Sequence, residues 1–255
     1  VPARDVVLFA TADEETGGDY GVRWMWANQR REIDAEYVLD EGGFGTREIL
    51  APGKLVFGVM VGEKQTLWLR VRANGTAGHG SQPIPDNANL TLLAALRKAM
   101  ELPPAPPHPL VAEMTKNIGA PLAVNKYTAA LQGNTVSLTT LASGVGNPAK
   151  VNVIPSAAEA TLDCRLLPGV DVRKFVEEMR TRINDPRVNL EVVSQPEDAG
   201  TSSSRTPLFE ALRRAILKHH PGATVTPLLV PHGTDSAKLR REGLTAYGFT
   251  PMVFD

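Results

Sequence analysis

The first part of the chain alternates between continuous apolar runs and a stretch with helical spacing. Residues 6–11 form an unbroken apolar run rich in β-branched side chains, a pattern that predicts a strand buried on both faces. Residues 20–31 carry apolar side chains at helical intervals, and residues 37–39 form a second short apolar run. Polar residues follow both runs. A strand, a helix and a strand in this order predict an α/β fold, in which functional sites gather at the carboxyl ends of the strands.

From about Gln65 the pattern changes to that of a second kind of domain. Residues 66–73 alternate apolar and polar side chains, as an antiparallel strand with one solvated face does. Residues 86–101 are spaced as an amphipathic helix. The apolar stripe predicted for this helix contains Leu90, Leu93, Leu96 and Met100. The same criteria predict further strands at 135–141, 157–167 and 188–193 and a helix at 171–183.

Strand, helix, strand, strand, helix, strand is the order expected of a compact α+β domain. We place this domain at residues 66–195 and expect a four-stranded antiparallel sheet with two helices. A polar linker at 197–205 and a helix at 207–219 then return the chain to the first domain, which comprises residues 1–65 and 196–255. The α+β domain is therefore predicted to be inserted into the α/β domain.

Composition and charge narrow the possible partners. The 27 Lys and Arg residues balance 28 Asp and Glu residues, so the formal net charge is −1. This charge gives no electrostatic basis for binding nucleic acid or a membrane surface. No apolar run approaches the roughly 20 residues needed to cross a bilayer. The single cysteine, Cys164, excludes a disulfide within the chain and is compatible with a reducing compartment such as the cytoplasm, but it does not determine the localisation.

Two acidic clusters follow the two apolar runs of the α/β domain. Asp13, Glu14 and Glu15 come directly after the first run, and Asp40 and Glu41 come after the second. Adjacent carboxylates repel one another, and a divalent cation compensates them efficiently. Because neighbouring side chains at a strand end point in different directions, one glutamate can bind a metal while the next faces the metal-bound water. Solvated acidic turns are the alternative, but two clusters at strand ends favour a metal site.

Several isolated polar residues have a structural as well as a functional interpretation. His79 lies in a glycine-rich turn, where a histidine is most often solvated. Opposite a metal it could donate to a developing negative charge, an effect of about 2.7–4 kcal/mol. Arg165 follows Asp163 on a predicted strand, so a surface ion pair also explains it, and Cys164 fits an inert core thiol. The remaining histidines lack ligand spacing and are assigned to the surface or to loops: His108, His219, His220 and His232.

Seven short motifs occur in the order and spacing of one hydrolase family. They are ADEETGGDYG at 12–21, VLDEGG at 38–43, GTAGHGS at 75–81, NVIP at 152–155, DCR at 163–165, GTDS at 233–236 and AYGF at 246–249. Together they resemble the zinc-dependent family of aminoacylases, carboxypeptidase S and acetylornithine deacetylase–succinyl-diaminopimelate desuccinylase. The resemblance implies a zinc-exopeptidase-like catalytic α/β domain with an inserted lid and dimerisation domain. It also implies two zinc ions per full-length subunit and a homodimer formed through the inserted domain.

The resemblance assigns roles to the acidic clusters. Glu14 corresponds to the general base that takes a proton from the attacking water. Glu15 corresponds to a zinc ligand, and Glu41 to a second one. The expected reaction is hydrolysis of the amide bond of an N-acyl amino acid or a small peptide with a free carboxylate.

The resemblance also assigns residues that face the substrate. His79 corresponds to a lid histidine that stabilises the oxyanion and usually reaches the active site of a partner subunit. Asn152 and Arg165 correspond to the substrate end of the lid. Gly233 and Thr234 are expected to shape the pocket for the carboxylate of the substrate.

The chain departs from the family pattern at both ends and at one internal position. A His-x-Asp segment with a bridging aspartate should precede residue 1, and a last histidine ligand should follow residue 255. Because the chain also starts without Met at an apolar run, we interpret it as a fragment that alone binds zinc poorly and is inactive. Many relatives carry an arginine where this chain has Ala237, and whether the adjacent Lys238 replaces it is open.

Three other functions compete with a metal-dependent hydrolase. A non-catalytic relative that keeps the scaffold for dimerisation or ligand binding is the main alternative, although the presence of Glu14, Glu15, Glu41 and His79 argues against it. A glycosidase with paired carboxylates leaves the motif around His79 unexplained. A serine hydrolase is disfavoured because the sequence around Ser81 does not form the Gly-x-Ser-x-Gly turn.

Overall fold

The computed structural model describes residues 4–194 and 198–255, which form eleven strands and seven helices. The strands are β1 (Tyr37–Asp40), β2 (Phe44–Thr46), β3 (Val56–Glu63), β4 (Gln65–Asn74), β5 (Gly78–His79), β6 (Thr135–Ser143), β7 (Val153–Ile154), β8 (Ala157–Leu166), β9 (Val188–Ser194), β10 (Thr224–Val230) and β11 (Thr245–Gly248). The helices are α1 (Val22–Ile33), α2 (Ala88–Met100), α3 (Pro109–Ile118), α4 (Lys126–Leu131), α5 (Val172–Ile183), α6 (Pro207–His219) and α7 (Asp235–Arg241). In this described part, no helix is both long enough and apolar enough to cross a bilayer.

The described residues divide into two compact units. The first contains residues up to Lys64 together with Pro107–Gln132 and Asp198–Asp255, and the second contains Gln65–Pro106 and the described residues from Gly133 to Ser194. The boundaries drawn from the sequence place 107–132 in the inserted domain. In the structure this segment supplies α3 and α4 to the first unit, because the apolar face of α3 packs against β10.

The first unit is built on a mixed sheet with the strand order β1-β11-β3-β10, to which β2 adds alongside β3. β1 runs parallel to β11 and β10 runs parallel to β3, while β11 and β2 are antiparallel to β3. Every residue of β3 is buried, as expected of a central strand with a nearly continuous apolar sequence. The predicted helix at 20–31, helix at 207–219 and strand at 37–39 correspond to α1, α6 and β1.

The strand predicted at residues 6–11 is wrong. These residues form no strand, and Val6, Val7 and Leu8 are 81%, 58% and 96% exposed. Only Phe9 packs, against the small apolar cluster that joins α1 and α7. A continuous apolar run becomes a buried strand only where a sheet edge accepts it, and within residues 4–194 and 198–255 no strand pairs with this run.

The second unit confirms the predicted four-stranded antiparallel sheet with two helices. Its strand order is β6-β8-β4-β9, and α2 and α5 share one core with one face of the sheet. Alternate residues of β4 are buried against the helices, whereas Trp68, Arg70 and Arg72 lie on the other face. That face carries the ion pairs of Arg70 with Glu159 and Glu191, so the alternation read from the sequence matches the structure.

The apolar stripe predicted for α2 faces outward instead of toward the core. Leu90, Leu93 and Met100 are 62%, 53% and 39% exposed. The buried face consists mostly of small side chains, with Leu92 and Leu96 between them: Ala88, Thr91, Ala95 and Ala99. Small residues let the helix axis lie close to the sheet, so packing selects the face that combines alanines with Leu92 and Leu96. Only Leu96 of the predicted stripe is buried.

Candidate functional site

The first acidic loop turns tightly between residue 12 and α1. Asp13 has a positive φ of 52°, which is unusual for a residue other than glycine, and its side-chain Oδ2 accepts a hydrogen bond from the Tyr20 amide at 3.0 Å. Glu14 to Thr16 form a single 3₁₀ turn, and Gly17 and Gly18 continue at positive φ. Asp13 is therefore used to shape the loop, which leaves Glu14 and Glu15 as its outward carboxylates.

Glu14 lies where several charges of the first unit meet. Burial raises the pKa of its carboxyl group, and the negative charges of Asp235 and Glu41 raise it further, while the Lys238 ammonium opposes them. The first acidic loop lies beside α7, because a side chain at Gly18 would meet Lys238 Nζ and Asp235 Oδ1, and Asp40 of the second loop is hydrogen-bonded to Ser236 of the same helix. The two acidic clusters predicted from the sequence are thus brought together, although Glu15 points to solvent.

The second acidic loop is held from two sides. Asp40, at the end of β1, accepts hydrogen bonds on Oδ2 from the Ser236 amide at 3.1 Å and from the Ser236 hydroxyl at 2.9 Å. Gly248 of β11 pairs with Asp40, and any side chain at Gly248 would collide with the backbone oxygen of Glu41. Gly42 follows at a φ of 112°. These contacts fix the backbone of the loop while the Glu41 side chain stays exposed.

Helix α7 begins at the same edge of the sheet. The Thr234 hydroxyl accepts a hydrogen bond from the Ser236 amide at 3.2 Å and caps the helix. The same hydroxyl donates to Glu63 Oε2 at 2.9 Å, so it is not free to bind a substrate. Asp235 pairs with Lys238 through Oδ1 at 2.7 Å, and its Oδ2 is buried without a hydrogen-bond partner. Gly233 is exposed just before the helix.

A buried ion pair lies beneath this edge. Arg240 Nη2 donates to Glu63 Oε1 at 2.7 Å, and the two side chains are 2% and 3% exposed. Burial raises the pKa of Glu63 to about 7, against the opposing effect of the Arg240 charge and of the Thr234 hydrogen bond. Neither residue is predicted from the sequence. For Glu63 the available signal was a charged residue at the end of the otherwise apolar run at 56–63, whereas Arg240 lies in a mostly polar segment that offers no such signal.

The acidic residues suit a divalent cation in kind but not in number. Carboxylate oxygens are suitable ligands for zinc, which in catalytic sites takes three protein ligands. Within the described ranges, 4–194 and 198–255, no three side chains of His, Cys, Asp or Glu are arranged to hold a metal ion. Glu15 and Glu41 stay predicted ligands, and by themselves they would supply only part of a donor set.

The second unit places His79 beside Asn152. The short strands β5 and β7 pair His79 with Val153, and the Asn152 amide nitrogen lies 3.3 Å from His79 Nε2. The Ser81 amide donates to His79 Nδ1 at 3.2 Å, and the Ser81 hydroxyl lies 2.7 Å from the same atom. The Ser81 backbone N–H and the Asn152 amide nitrogen are both donors, and they face the two different ring nitrogens. The contacts therefore fix the orientation of the imidazole ring beside Asn152 but not the ring nitrogen that carries the proton, and both residues are exposed.

Arg165 is committed to the polar face of the second sheet. It binds both carboxylate oxygens of Asp163 at 2.8 and 3.0 Å and the Thr66 hydroxyl at 2.7 Å. Three of its five donors are used in this way, so a role in binding substrate stays a prediction. Cys164, on the opposite face of the same strand, is fully buried, and burial raises the pKa of its thiol to about 12.

Comparison with known proteins identifies relatives of the chain. Residues 61–191 match the family model described as peptidase dimerisation domain (M20_dimer). Human N-fatty-acyl-amino acid synthase/hydrolase PM20D1 is 26% identical over 281 residues, which cover 99% of the chain and 55% of that protein. Aminoacylase-1 of Sus scrofa is 28% identical over 253 residues, covering 98% of the chain and 56% of the relative. The chain spans about half the length of these curated relatives.

Solved structures share the fold at low sequence identity. Human carnosine dipeptidase 1 superposes with a TM-score of 0.66 at 14% identity over 92% of the chain and 56% of that protein. An M20 family metallo-carboxypeptidase of Sulfolobus solfataricus, Sso-CP2, gives a TM-score of 0.63 at 16% identity, covering 92% of the chain and 60% of the carboxypeptidase. At these identities the likeness establishes the fold alone.

Proposed function

Since the chain belongs to the M20 family of aminoacylases and carboxypeptidases, we propose that the full-length protein is a metal-dependent hydrolase of N-acyl amino acids or small peptides with a free carboxylate. The observation that carries this proposal is that both acidic loops meet the start of α7: Asp40 accepts hydrogen bonds from Ser236, and Gly18 closely approaches Asp235 and Lys238. Two acidic loops and the end of a helix meet there, and their like charges repel one another unless a cation compensates them. The names of the curated relatives, a fatty-acyl-amino acid hydrolase and an aminoacylase, agree with an acylated amino acid as substrate.

The proposed roles follow from which side chains are free. Glu15 and Glu41, whose carboxylates are exposed, would hold zinc together with ligands outside the described residues. Zinc, when bound, polarises the amide carbonyl and lowers the pKa of bound water toward neutrality. Asp40 and Asp13 are less suited as ligands, because hydrogen bonds from Ser236 and Tyr20 occupy Oδ2 of each carboxylate and hold it in its loop.

Glu14 is the proposed general base. Its carboxylate takes a proton from water while the water oxygen forms a bond to the amide carbon. The same carboxyl group returns this proton to the nitrogen as the carbon–nitrogen bond breaks, so that a free amine and a carboxylic acid are released. A raised affinity for the proton suits this role, because the base must hold the proton between the two steps.

His79 is the proposed oxyanion donor. Its imidazole ring is oriented by the contacts of Ser81 to Nδ1 and lies next to Asn152. A donor fixed before the reaction stabilises the developing negative charge without reorganising, which is the source of such catalytic effects.

We also propose that the second unit forms a homodimer. Its match to a peptidase dimerisation domain supports this proposal. Strand β6 ends the sheet, and no strand pairs with its outer edge in the part of the chain that the structure describes. Leu90 and Leu93 of α2 are exposed beside it, where Asn89 is hydrogen-bonded to Ser143 of β6. An open strand edge next to apolar side chains is a surface that a second copy can cover.

An assay of the full-length protein tests the proposed activity. Purified protein is incubated with N-acyl amino acids of increasing acyl length, and the free amine is measured with and without a chelator. We expect amine release that the chelator abolishes and zinc restores. Amine release that persists after complete metal removal would contradict metal dependence, and no release from any N-acyl amino acid or dipeptide would contradict the activity itself.

A further inference from the structure

The buried ion pair of Glu63 and Arg240 has no part in the proposed reaction. Burying two charges costs solvation energy that their attraction often does not return, and apolar side chains of similar size can stabilise a fold as well. What an ion pair adds is direction, because its hydrogen bonds hold both partners in one geometry. The side chains of this pair are only 2% and 3% exposed. Such a pair therefore indicates that the position of the structural elements hydrogen-bonded to it is important.

Glu63 is shared between two elements. Its Oε1 accepts from Arg240 at 2.7 Å, and its Oε2 accepts from the Thr234 hydroxyl at 2.9 Å. A hydroxyl has one proton, so once Thr234 donates it to Glu63, its lone pairs turn toward the Ser236 amide, 3.2 Å away. Arg240 also donates to the Ala246 carbonyl of β11 at 3.3 Å. The pair thus fixes the first turn of α7 relative to β3 and β11.

Ser236 connects the first turn of α7 to the second acidic loop. Its amide and its hydroxyl both donate to Asp40 Oδ2, at 3.1 and 2.9 Å. Asp40 immediately precedes Glu41, which the proposed function places at the metal. An unbroken series of hydrogen bonds therefore leads from Arg240 through Glu63, Thr234 and Ser236 to Asp40.

We propose that Glu63 and Arg240 are positioning residues that hold the acidic loop at Asp40 and Glu41 through Thr234 and Ser236. They act from beneath the sheet edge and touch neither substrate nor metal. The importance of the loop rests on the proposed function, whereas the mechanical link to it rests on the hydrogen bonds alone.

Hydrogen exchange of the full-length protein tests the link directly. In Glu63→Gln an amide nitrogen replaces one carboxylate oxygen, so either Arg240 or Thr234 loses its acceptor. We expect amide exchange in peptides covering residues 38–46 and 232–240 to rise about tenfold, as the loss of a buried hydrogen bond allows, while peptides of β4 and β8 are unchanged. The double variant Glu63→Gln with Arg240→Met removes both charges. It should recover thermal stability but keep the fast exchange at 38–46.

Met114→Ala is the matched control, because Met114 is fully buried on α3 in the same unit and joins no part of the hydrogen-bond series. At an equal loss of thermal stability this variant should leave exchange at 38–46 unchanged. The proposal is overturned if exchange at 38–46 follows melting temperature equally in all three variants, or if Glu63→Gln leaves it within about twofold of wild type.

Kinetics separate the link from the proposed activity. If wild-type protein hydrolyses N-acyl amino acids, Glu63→Gln should lower kcat about tenfold with little change in KM, because a displaced loop affects the reaction more than binding. An unchanged kcat alongside faster loop exchange would overturn the catalytic relevance of the link. If wild-type protein has no such activity, the proposed function fails, and hydrogen exchange still decides whether the ion pair holds the loop.

Discussion

The two units of the molecule differ in whether each supplies the packing and ligand residues that its own side chains require. The second unit closes a sheet and two helices around one core that includes residues of β4, β8, α2 and α5. The first unit leaves the apolar run at 6–8 exposed, and its acidic loops converge without a complete set of metal ligands in the described ranges. A segment of alternating apolar and polar residues forms the predicted strand when the strands that pair with it lie nearby. An apolar run buried on both faces, or a carboxylate that binds a metal, needs partners that are distant in the sequence.

The largest expected effect separates the two adjacent glutamates of the first unit. In the full-length protein, Glu14→Ala should lower kcat by about 10²–10⁴-fold while the zinc content is kept, because a general base contacts the water and not the ion. Glu15→Ala should lose zinc. Metal analysis and turnover of both variants, with Glu32→Ala on α1 as the matched exposed control, measure the difference. Equal zinc loss in the two variants would reverse the assigned roles.

A smaller effect is expected from the second unit. His79→Ala should reduce kcat by about 10²–10³-fold through loss of one oxyanion donor, with zinc content and stability unchanged. His219→Ala, which removes an exposed histidine of α6, serves as the control and should retain full turnover. If the two histidine variants behave alike, the chemistry is confined to the first unit.

Core substitutions test the structural side of the comparison. Leu162 is 1% exposed on β8, so Leu162→Ala should lower the free energy of unfolding by about 2–5 kcal/mol. Val7→Ala, at a residue that is 58% exposed, should change it by less than about 0.5 kcal/mol. Urea unfolding of the 255-residue chain measures both. A large loss from Val7→Ala would mean that the run at 6–11 is buried in solution.

The exposed stripe of α2 gives a prediction about assembly. Leu93→Glu should weaken the proposed dimer about tenfold or more, because a charge at an apolar interface loses its hydration. Light scattering over a range of concentrations measures the dissociation constant. Val151→Glu, at a fully exposed position of the same unit, is the control and should leave it unchanged. Wild-type protein that stays monomeric at high concentration would argue against the dimer.

The smallest expected effect is a dependence of stability on pH. The pKa of Glu63 is raised by burial from 4.5 to about 7 in the folded state. A folded carboxyl group with a raised pKa binds its proton more tightly than the unfolded one, so its contribution is complete below pH 4.5 and is lost as the pH rises through 7. Between these values wild type should lose on the order of 1 kcal/mol more than Glu63→Gln. Parallel urea curves at both pH values would show that Glu63 stays ionised throughout.

The sequence predicts most of the second unit because its information is local. Alternation at 66–73 and 157–167 sets which face of each strand is buried, and the structure confirms the antiparallel sheet and both helices. The phase of α2 could not be predicted, because leucines and alanines offer two competing stripes and only the sheet decides between them. The helices α3 and α4 were also missed, since Pro-rich loops flank short helical segments there.

Less of the site than of the fold can be predicted from the sequence. The acidic clusters could be found because adjacent carboxylates repel one another unless a cation compensates them, although only the cluster of Asp40 and Glu41 lies at the end of a strand in the described part of the structure. Glu63 and Arg240 are separated by 176 intervening residues and meet only through the fold. No local sequence pattern predicts such an ion pair. The catalytic, ligand and substrate roles of the individual residues stay predictions.

The alanine face of α2 also constrains how this protein can vary through evolution. Ala88, Ala95 and Ala99 cannot become larger without lifting the helix from the sheet, so these positions tolerate few substitutions. Leu90 and Leu93, on the opposite side, can change without disturbing the core. Selection can therefore alter which surface the helix recognises, one residue at a time, while the fold beneath it is preserved.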